Sequence, residues 1–200
     1  RREERIDILI NNAGFGISGA IEFTPPQEAR RQFDVNFFGM VNMNRAVLPV
    51  MRQQGGGRIV NMSSVAAPIA IPFQAYYSAS KAAVRTYSLA LASEVRPFGI
   101  EVCVIMPGDI ATGFTAARRK SCGGDDVYNG RIARSVAVME HDERTGMSAQ
   151  FAGQFVARRA TQKHPKLICT MGRKYALFVF LMRILPTRTA TRIVGRIYAS

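Results

Sequence analysis

Short apolar runs alternate with longer segments of helical periodicity along the first part of the chain. Runs rich in Ile, Val and Leu occupy residues 6–10, 58–62 and 100–106. Such uninterrupted runs are typical of strands that are buried on both faces of a parallel sheet. Residues 26–51 and 77–96 lie between the runs and carry apolar side chains at helical spacing. Strands and helices in alternation, joined by short loops, predict an α/β fold with a doubly wound parallel sheet.

The periodicity weakens after the third strand. Residues 113–146 are rich in Arg, Gly and Asp, and only residues 128–139 suggest a helix there. A connection this long is usually disordered or functional. A further helix is predicted over residues 148–160 and a last strand over residues 167–170. The most hydrophobic segment, residues 175–185, is too short to cross a membrane.

A tyrosine and a lysine on the second long helix form the strongest candidate for chemistry. Tyr77 and Lys81 are four residues apart, which places them on one face of a helix. A neighbouring ammonium favours phenolate over phenol, so we expect Lys81 to lower the pKa of Tyr77 and make it a general acid/base. Ser64 follows a predicted strand and can place a hydroxyl beside this phenol. Ser63 and Tyr76 are the neighbouring alternatives.

Five motifs surround this pair in a fixed order. They are Asn11-Asn12-Ala13-Gly14, Asn36, Ser63-Ser64, Tyr77-x-x-x-Lys81 and Pro107-Gly108. Asn36 precedes Tyr77 by 41 residues and Ser64 precedes it by 13. In order and separation, the motifs resemble those of the short-chain dehydrogenase/reductases, from about residue 6 to residue 112. Only Ser64 and Tyr77 satisfy both separations, so they are preferred over Ser63 and Tyr76.

The resemblance implies a Rossmann-like fold and hydride transfer between NAD(P)(H) and a carbonyl/secondary alcohol pair. By this resemblance, Tyr77 donates the proton and Ser64 holds the carbonyl oxygen by a hydrogen bond. Lys81 binds the hydroxyls of the nicotinamide ribose. The resemblance also gives Asn36 a role in a water relay to Lys81. The cofactor-binding residues that it implies are Asn12, Ala13, Gly14, Tyr77, Lys81, Pro107, Gly108, Ile110 and Thr112.

The resemblance also implies what the chain contains. Members of the family open with a strand, a glycine-rich turn and a helix, and no such turn precedes Ile6. We therefore expect the βαβ part to lie in about 70–80 further residues upstream. Residues 1–112 are then the rest of the cofactor domain, 113–147 a substrate lid, and 148–200 its last helices and strand. Either NAD or NADP fits, with NADP favoured. The residue that usually selects between them follows the second strand, which belongs to the part expected upstream.

Composition adds expectations about partners and location. The chain has 27 Lys and Arg against 14 Asp and Glu, but no nucleic-acid-binding motif, so no nucleic acid partner is expected. Cys103, Cys122 and Cys169 fit neither a disulfide framework nor a metal site, and this usage suits the cytoplasm. Cys103 is expected to be a small buried hydrophobic residue.

The expected substrate is a small hydrophobic ketone or alcohol. The basic segment around residues 175–185 is either an interfacial helix in peripheral contact with a membrane or a helix packed over the pocket or a neighbouring subunit. Both long helices carry more apolar residues than a single face packed against the sheet requires, which predicts a homodimer or homotetramer. The residues behind this prediction are Phe37, Phe38, Met40, Met43, Val84, Tyr87, Leu89 and Leu91. A catalytically inert binding or scaffold fragment remains the alternative function.

Overall fold

The computed structural model describes residues 4–121 and 123–199, so the prediction for Cys122 falls outside the described residues. Eight strands, three of them in the region after residue 112, are present in this part of the chain. They are β1 (Ile8–Asn11), β2 (Ile17–Ser18), β3 (Gly57–Met62), β4 (Ile100–Pro107), β5 (Ile110–Ala111), β6 (Arg119–Lys120), β7 (Met147–Ser148) and β8 (Ile168–Met171).

The described helices connect these strands. They are α1 (Pro26–Phe33), α2 (Gly39–Gln53), α3 (Ala75–Val95), α4 (Phe114–Ala117), α5 (Arg131–Arg144), α6 (Ala149–Thr161), α7 (Arg173–Ile184) and α8 (Thr187–Tyr198). The predicted helix over residues 148–160 and the last strand over residues 167–170 are therefore present within one residue of their expected ends. The helix α8 was not anticipated from the sequence.

Four parallel strands form the central sheet in the order β1-β3-β4-β8. The register pairs Ile59 of β3 with Leu9 on one side and with Val102 on the other. β8 joins the far edge, where Cys169 lies opposite Ile105. The prediction of an α/β fold with a parallel sheet is confirmed.

The sheet is covered on both faces because successive residues of a strand point to opposite sides. On one side Ile59 and Val102 pack with Met51 of α2 and Leu91 of α3. The opposite face carries a second apolar cluster that includes the two cysteine side chains and residues of α6. Its buried members are Val60, Met62, Cys103, Ile105, Ala152, Ala160, Cys169 and Met171. Cys103 is fully buried, as the sequence predicted.

The first long helix contains a local defect. Residues 26–53 are continuous, but Asp34–Phe38 form a π-helical turn between α1 and α2. π-Helical turns inside α-helices often occur at functional sites. Here the turn contains Asn36, which is 2% exposed within an otherwise apolar stretch.

The region after residue 112 contains more regular structure than its composition suggested. α5 begins at Arg131, and its buried Ile132 and Val136 pack against Ala20. Two short strand pairs, β2 with β6 and β5 with β7, tie this region to the rest of the fold. No helix in the described part of the chain is both long and apolar enough to cross a membrane.

Candidate active site

A cavity of about 920 Å³ lies at the carboxyl ends of the central strands. In parallel sheets this edge is where ligands bind, because the loops that follow the strands converge there. Its lining includes most of the residues that the sequence singled out. These are Asn12, Gly14, Ser63, Ser64, Tyr77, Lys81, Pro107, Gly108, Ile110 and Thr112. Ala13 is exposed on the loop between Asn12 and Gly14.

Ser64 and Tyr77 face each other in this cavity. Ser64 lies in the loop after β3, two residues beyond the end of this strand, and is 8% exposed. Its hydroxyl oxygen accepts a hydrogen bond from the amide of Ala66 at 3.0 Å, which fixes the hydroxyl in place. The same hydroxyl is a hydrogen-bonding neighbour of the Tyr77 phenol and by itself lowers the pKa of that phenol.

The neighbouring alternatives make other contacts. The hydroxyl of Ser63 donates to the main-chain carbonyl of Lys81 at 2.8 Å. The hydroxyl of Tyr76 donates to the carbonyl of Ile21 at 3.3 Å. Both hydroxyls therefore hold local structure together, which favours Ser64 and Tyr77 as the reactive pair.

Lys81 lies beneath the ring of Tyr77 on the same face of α3. Its Nζ is 5.7 Å from the centre of the Tyr77 ring and donates to the Met62 carbonyl at 2.9 Å. The lysine is 5% exposed, and this burial lowers its pKa to about 8.

The expected lowering of the tyrosine pKa is not observed. Burial raises the pKa of Tyr77 to about 12, and the hydrogen bond from Ser64 opposes this rise without cancelling it. A buried phenol loses the water that would stabilise its anion, so its neutral form is favoured. Tyr77 is therefore protonated near neutral pH, the state that a proton donor requires.

Asn36 is buried behind the cavity and fixes the loop that follows β1. Its side-chain oxygen accepts from the Phe15 amide at 3.0 Å, and its Nδ2 donates to the Phe15 carbonyl at 3.0 Å. Nδ2 also lies 3.2 Å from the hydroxyl of Ser80 on α3. Asn36 thus joins the first long helix, the loop after β1 and α3.

Gly14 leaves open the space in which this loop approaches α3. A Cβ at Gly14 would lie 3.1 Å from Oδ1 of Asn36 and 3.4 Å from Nζ of Lys81. A side chain at this position would therefore crowd the lysine and the asparagine. The close approach gives a physical reason for glycine in the Asn-Ala-Gly segment.

The cavity lining also includes a polar group that was not predicted from the sequence. Asp109 follows Gly108, and its Oδ2 accepts a hydrogen bond from the hydroxyl of Tyr175 at 2.8 Å. Burial raises the pKa of Asp109 above its ordinary value. Tyr198 of α8 lines the same cavity. Asp109 directly follows the Pro107-Gly108 motif, so its place near the cavity could have been predicted from the sequence.

A buried ion pair also borders the cavity. Arg118 and Glu143 form a salt bridge, and Glu143 also accepts from the hydroxyl of Thr115 at 2.7 Å. Glu143 lines the cavity, and burial raises its pKa. Phe114 contacts the Tyr77 ring edge-on, with 5.8 Å between the ring centres. No local pattern in the sequence pairs Arg118 with a glutamate 25 residues away.

The donors in the cavity fit half of a dinucleotide cofactor. The Lys81 ammonium and the Tyr77 hydroxyl suit ribose hydroxyls, and Asn12 and Thr112 add an amide and a hydroxyl. The space left open at Gly14 allows a ligand to approach the backbone closely. In the described ranges 4–121 and 123–199, no group of three or more His, Cys, Asp or Glu side chains could hold a metal ion.

Comparison with known proteins supports this interpretation of the site. The sequence model described as short chain dehydrogenase matches residues 1–123. A 3-ketodihydrosphingosine reductase of Bacteroides thetaiotaomicron is 45% identical over 170 residues, covering 84% of this chain and 63% of that protein.

Solved structures show the same fold. A short-chain dehydrogenase from Streptomyces avermitilis superposes with a TM-score of 0.80 at 30% identity, covering 96% of this chain and 70% of that one. A short chain dehydrogenase from Burkholderia cenocepacia in complex with NADP gives 0.72 at 25% identity, with coverage of 94% and 69%.

The chain thus spans a little under two thirds of the length of the Bacteroides reductase. The family model nevertheless covers more than half of the chain, including all the motifs from Asn12 to Thr112. The chain belongs to the short-chain dehydrogenase/reductase family.

Proposed function

We propose that the protein is an NAD(P)-dependent oxidoreductase that interconverts a hydrophobic ketone and its secondary alcohol. The observation that carries this proposal is the joint placement of Ser64, Tyr77 and Lys81 on one wall of the cavity. NADP is the favoured cofactor. The Burkholderia relative is described in complex with NADP, which supports this choice.

The chain's own residues handle the proton and the carbonyl oxygen. Reduction of a ketone places negative charge on its oxygen, so a proton donor and a hydrogen-bond donor are needed there. Tyr77, held protonated by burial, gives its proton to this oxygen. The hydroxyl of Ser64 donates a hydrogen bond that orients the same oxygen. The bound cofactor supplies the hydride.

Lys81 would hold the ribose hydroxyls and place a positive charge beside the phenolate that remains after proton transfer. An ammonium near the Tyr77 ring stabilises this anion. Asn12 and Thr112 would bind polar groups of the cofactor, and Pro107, Gly108 and Ile110 would line its nicotinamide end. Asn36 acts through the loop that it fixes.

The cavity favours an apolar substrate. Beyond the polar wall, its lining is largely aliphatic and aromatic, which suits an apolar ligand. The apolar side chains are Ile10, Val65, Ile69, Ile71, Phe114, Val156, Met171 and Phe178. The name of the Bacteroides relative supports a long-chain ketone as the substrate class.

The direct test is turnover by the full-length protein. We expect loss of reduced-nicotinamide absorbance when NADPH is mixed with 3-ketodihydrosphingosine, and much slower loss with a short polar ketone such as dihydroxyacetone. Equal rates with the two ketones would reject the substrate class but not the reaction. No oxidation of NADPH or NADH with any ketone in a panel of chain lengths would reject the reaction itself.

We further propose a homodimer or homotetramer built on the first long helix. Val35, Phe38 and Met43 are 38%, 50% and 49% exposed, so an apolar surface remains on this helix. Met40, Val84 and Leu91 do not belong to such a surface, contrary to the prediction from the sequence, because each is buried within the chain. Their orientation follows from the way the helices pack on the sheet, which apolar periodicity alone does not show.

A further inference from the structure

The outer face of α7 carries an exposed apolar stripe. Leu177, Phe180, Leu181 and Ile184 stand at helical positions i, i+3, i+4 and i+7, so they share one face. Their exposed fractions are 59%, 58%, 41% and 62%. Single exposed apolar residues are ordinary, but a continuous stripe of four large side chains marks an interaction surface. We call these four residues the α7 stripe.

The charged side chains of α7 and α8 have one sign. Glu143 is the last acidic residue of the chain, and ten Lys and Arg residues follow it after Thr145. Arg173, Lys174 and Arg183 are exposed on α7 itself. On the next helix, α8, exposed arginines recur at every fourth position and so share a face. They are Arg188, Arg192 and Arg196.

The inner face of the same helix belongs to the catalytic cavity. Tyr175 and Phe178 of α7 line it, together with Tyr198 of α8. Tyr175 also donates to Asp109 at the end of β4. α7 therefore separates the cavity, on one side, from the α7 stripe on the other.

We propose that the α7 stripe and its flanking cations dock on the surface of an anionic lipid bilayer, from which a lipid-borne substrate enters the catalytic cavity beside α7. A helix with apolar side chains on one face and Lys or Arg around them lies in the membrane interface. Charge complementarity selects this occupant, because the three exposed cations on α7 and the absence of Asp and Glu after Glu143 match anionic headgroups. The entry of substrate, though not the docking, rests on the proposed function.

The test uses full-length protein and vesicles, without substrate or cofactor. Vesicles of phosphatidylcholine alone are compared with vesicles containing 30 mol% phosphatidylglycerol, and bound protein is measured by flotation. We expect binding to the anionic vesicles that weakens as salt is added, since exposed charges are screened. Arg183→Gln and Arg188→Gln should each lower this binding by about fivefold.

The apolar contribution has a closely matched control. Phe180→Ser with Ile184→Ser removes side chains that are 58% and 62% exposed, and we expect at least a tenfold loss of vesicle binding. Ile21→Ser with Val127→Ser removes side chains that are 61% and 65% exposed elsewhere, and binding should be unchanged. Circular dichroism checks that both double variants are folded.

Three results would overturn the proposal. The first is that the wild type does not bind anionic vesicles, and the second is that both double variants lose the same amount of vesicle binding. The third is that Phe180→Ser with Ile184→Ser gives smaller particles than the wild type in light scattering without lipid. The last result would show that the α7 stripe is a contact between subunits. Because no turnover is measured, failure here leaves the proposed function standing, and failure of the turnover assay leaves the docking surface standing.

Discussion

Lys81→Met is expected to make the protein more stable at neutral pH while abolishing its activity. Lys81 is 5% exposed, and burial lowers its pKa from 10.5 to about 8. At pH 7 the lysine is protonated in both the folded and the unfolded state, so folding removes a charge from water. Methionine has a similar length and no charge, and its burial carries no such cost.

The size of the effect follows from the change in pKa. A fall in the pKa from 10.5 to about 8 means that the charged form of Lys81 destabilises the folded state by roughly 3 kcal/mol, at about 1.4 kcal/mol per pKa unit. The variant also loses the 2.9 Å hydrogen bond to the Met62 carbonyl, which is worth about 1 kcal/mol. The free energy of unfolding at pH 7 should therefore rise by about 2 kcal/mol.

This gain should disappear as the pH rises. Because the folded-state pKa of Lys81 is the lower one, the unfolded chain binds more protons between pH 8 and about 10.5. The stability of the wild type therefore rises relative to the variant across this window. Tyr77 is present in both the wild type and the variant, so its own titration largely cancels in the difference between them.

Urea unfolding of the full-length protein, followed by circular dichroism between pH 7 and pH 10, measures the difference. Lys163→Met, at an exposed lysine, is the control for loss of a charge. A difference between wild type and Lys81→Met that stays constant across this pH range would show that Lys81 is not a buried charge with a lowered pKa. A variant that is less stable at pH 7 would also contradict the prediction.

Two further predictions concern packing. Asn36→Ala should lower the free energy of unfolding by about 1–3 kcal/mol, because the part-buried Phe15 amide loses its acceptor, whereas Asn42→Ala, at an exposed position of α2, should have little effect. Phe38→Arg should give smaller particles in light scattering with circular dichroism retained, whereas Leu91→Arg, at a 4% exposed core position, should unfold the protein. Equal effects of the paired substitutions would contradict each prediction.

The sheet could be predicted from the sequence because parallel strands buried on both faces have uninterrupted apolar sequences. The sequence also predicted the meeting of Ser64 and Tyr77, since strand ends and the first turn of the next helix converge at one edge of such a sheet. The direction of the Tyr77 pKa was missed because desolvation depends on the whole cavity wall, whereas the spacing to Lys81 shows only one neighbour.

Features made by distant segments were also hidden. The pairing of Arg118 with Glu143 brings together the end of α4 and α5, and neither residue stands in a recognisable motif. Leu91 and Phe38 are both apolar residues on amphipathic helices, yet one is in the core and the other is half exposed. Only the rotation of each helix against the sheet distinguishes them.

Tyr77→Phe in the full-length protein examines whether Tyr77 gives the proton in a ketone reduction. Ring packing against Phe114 is retained in this variant, and only the hydroxyl beside Ser64 is lost. We expect kcat to fall by at least about a hundredfold while the dissociation constant for NADPH changes little. A variant that keeps most of its kcat would contradict this role of Tyr77.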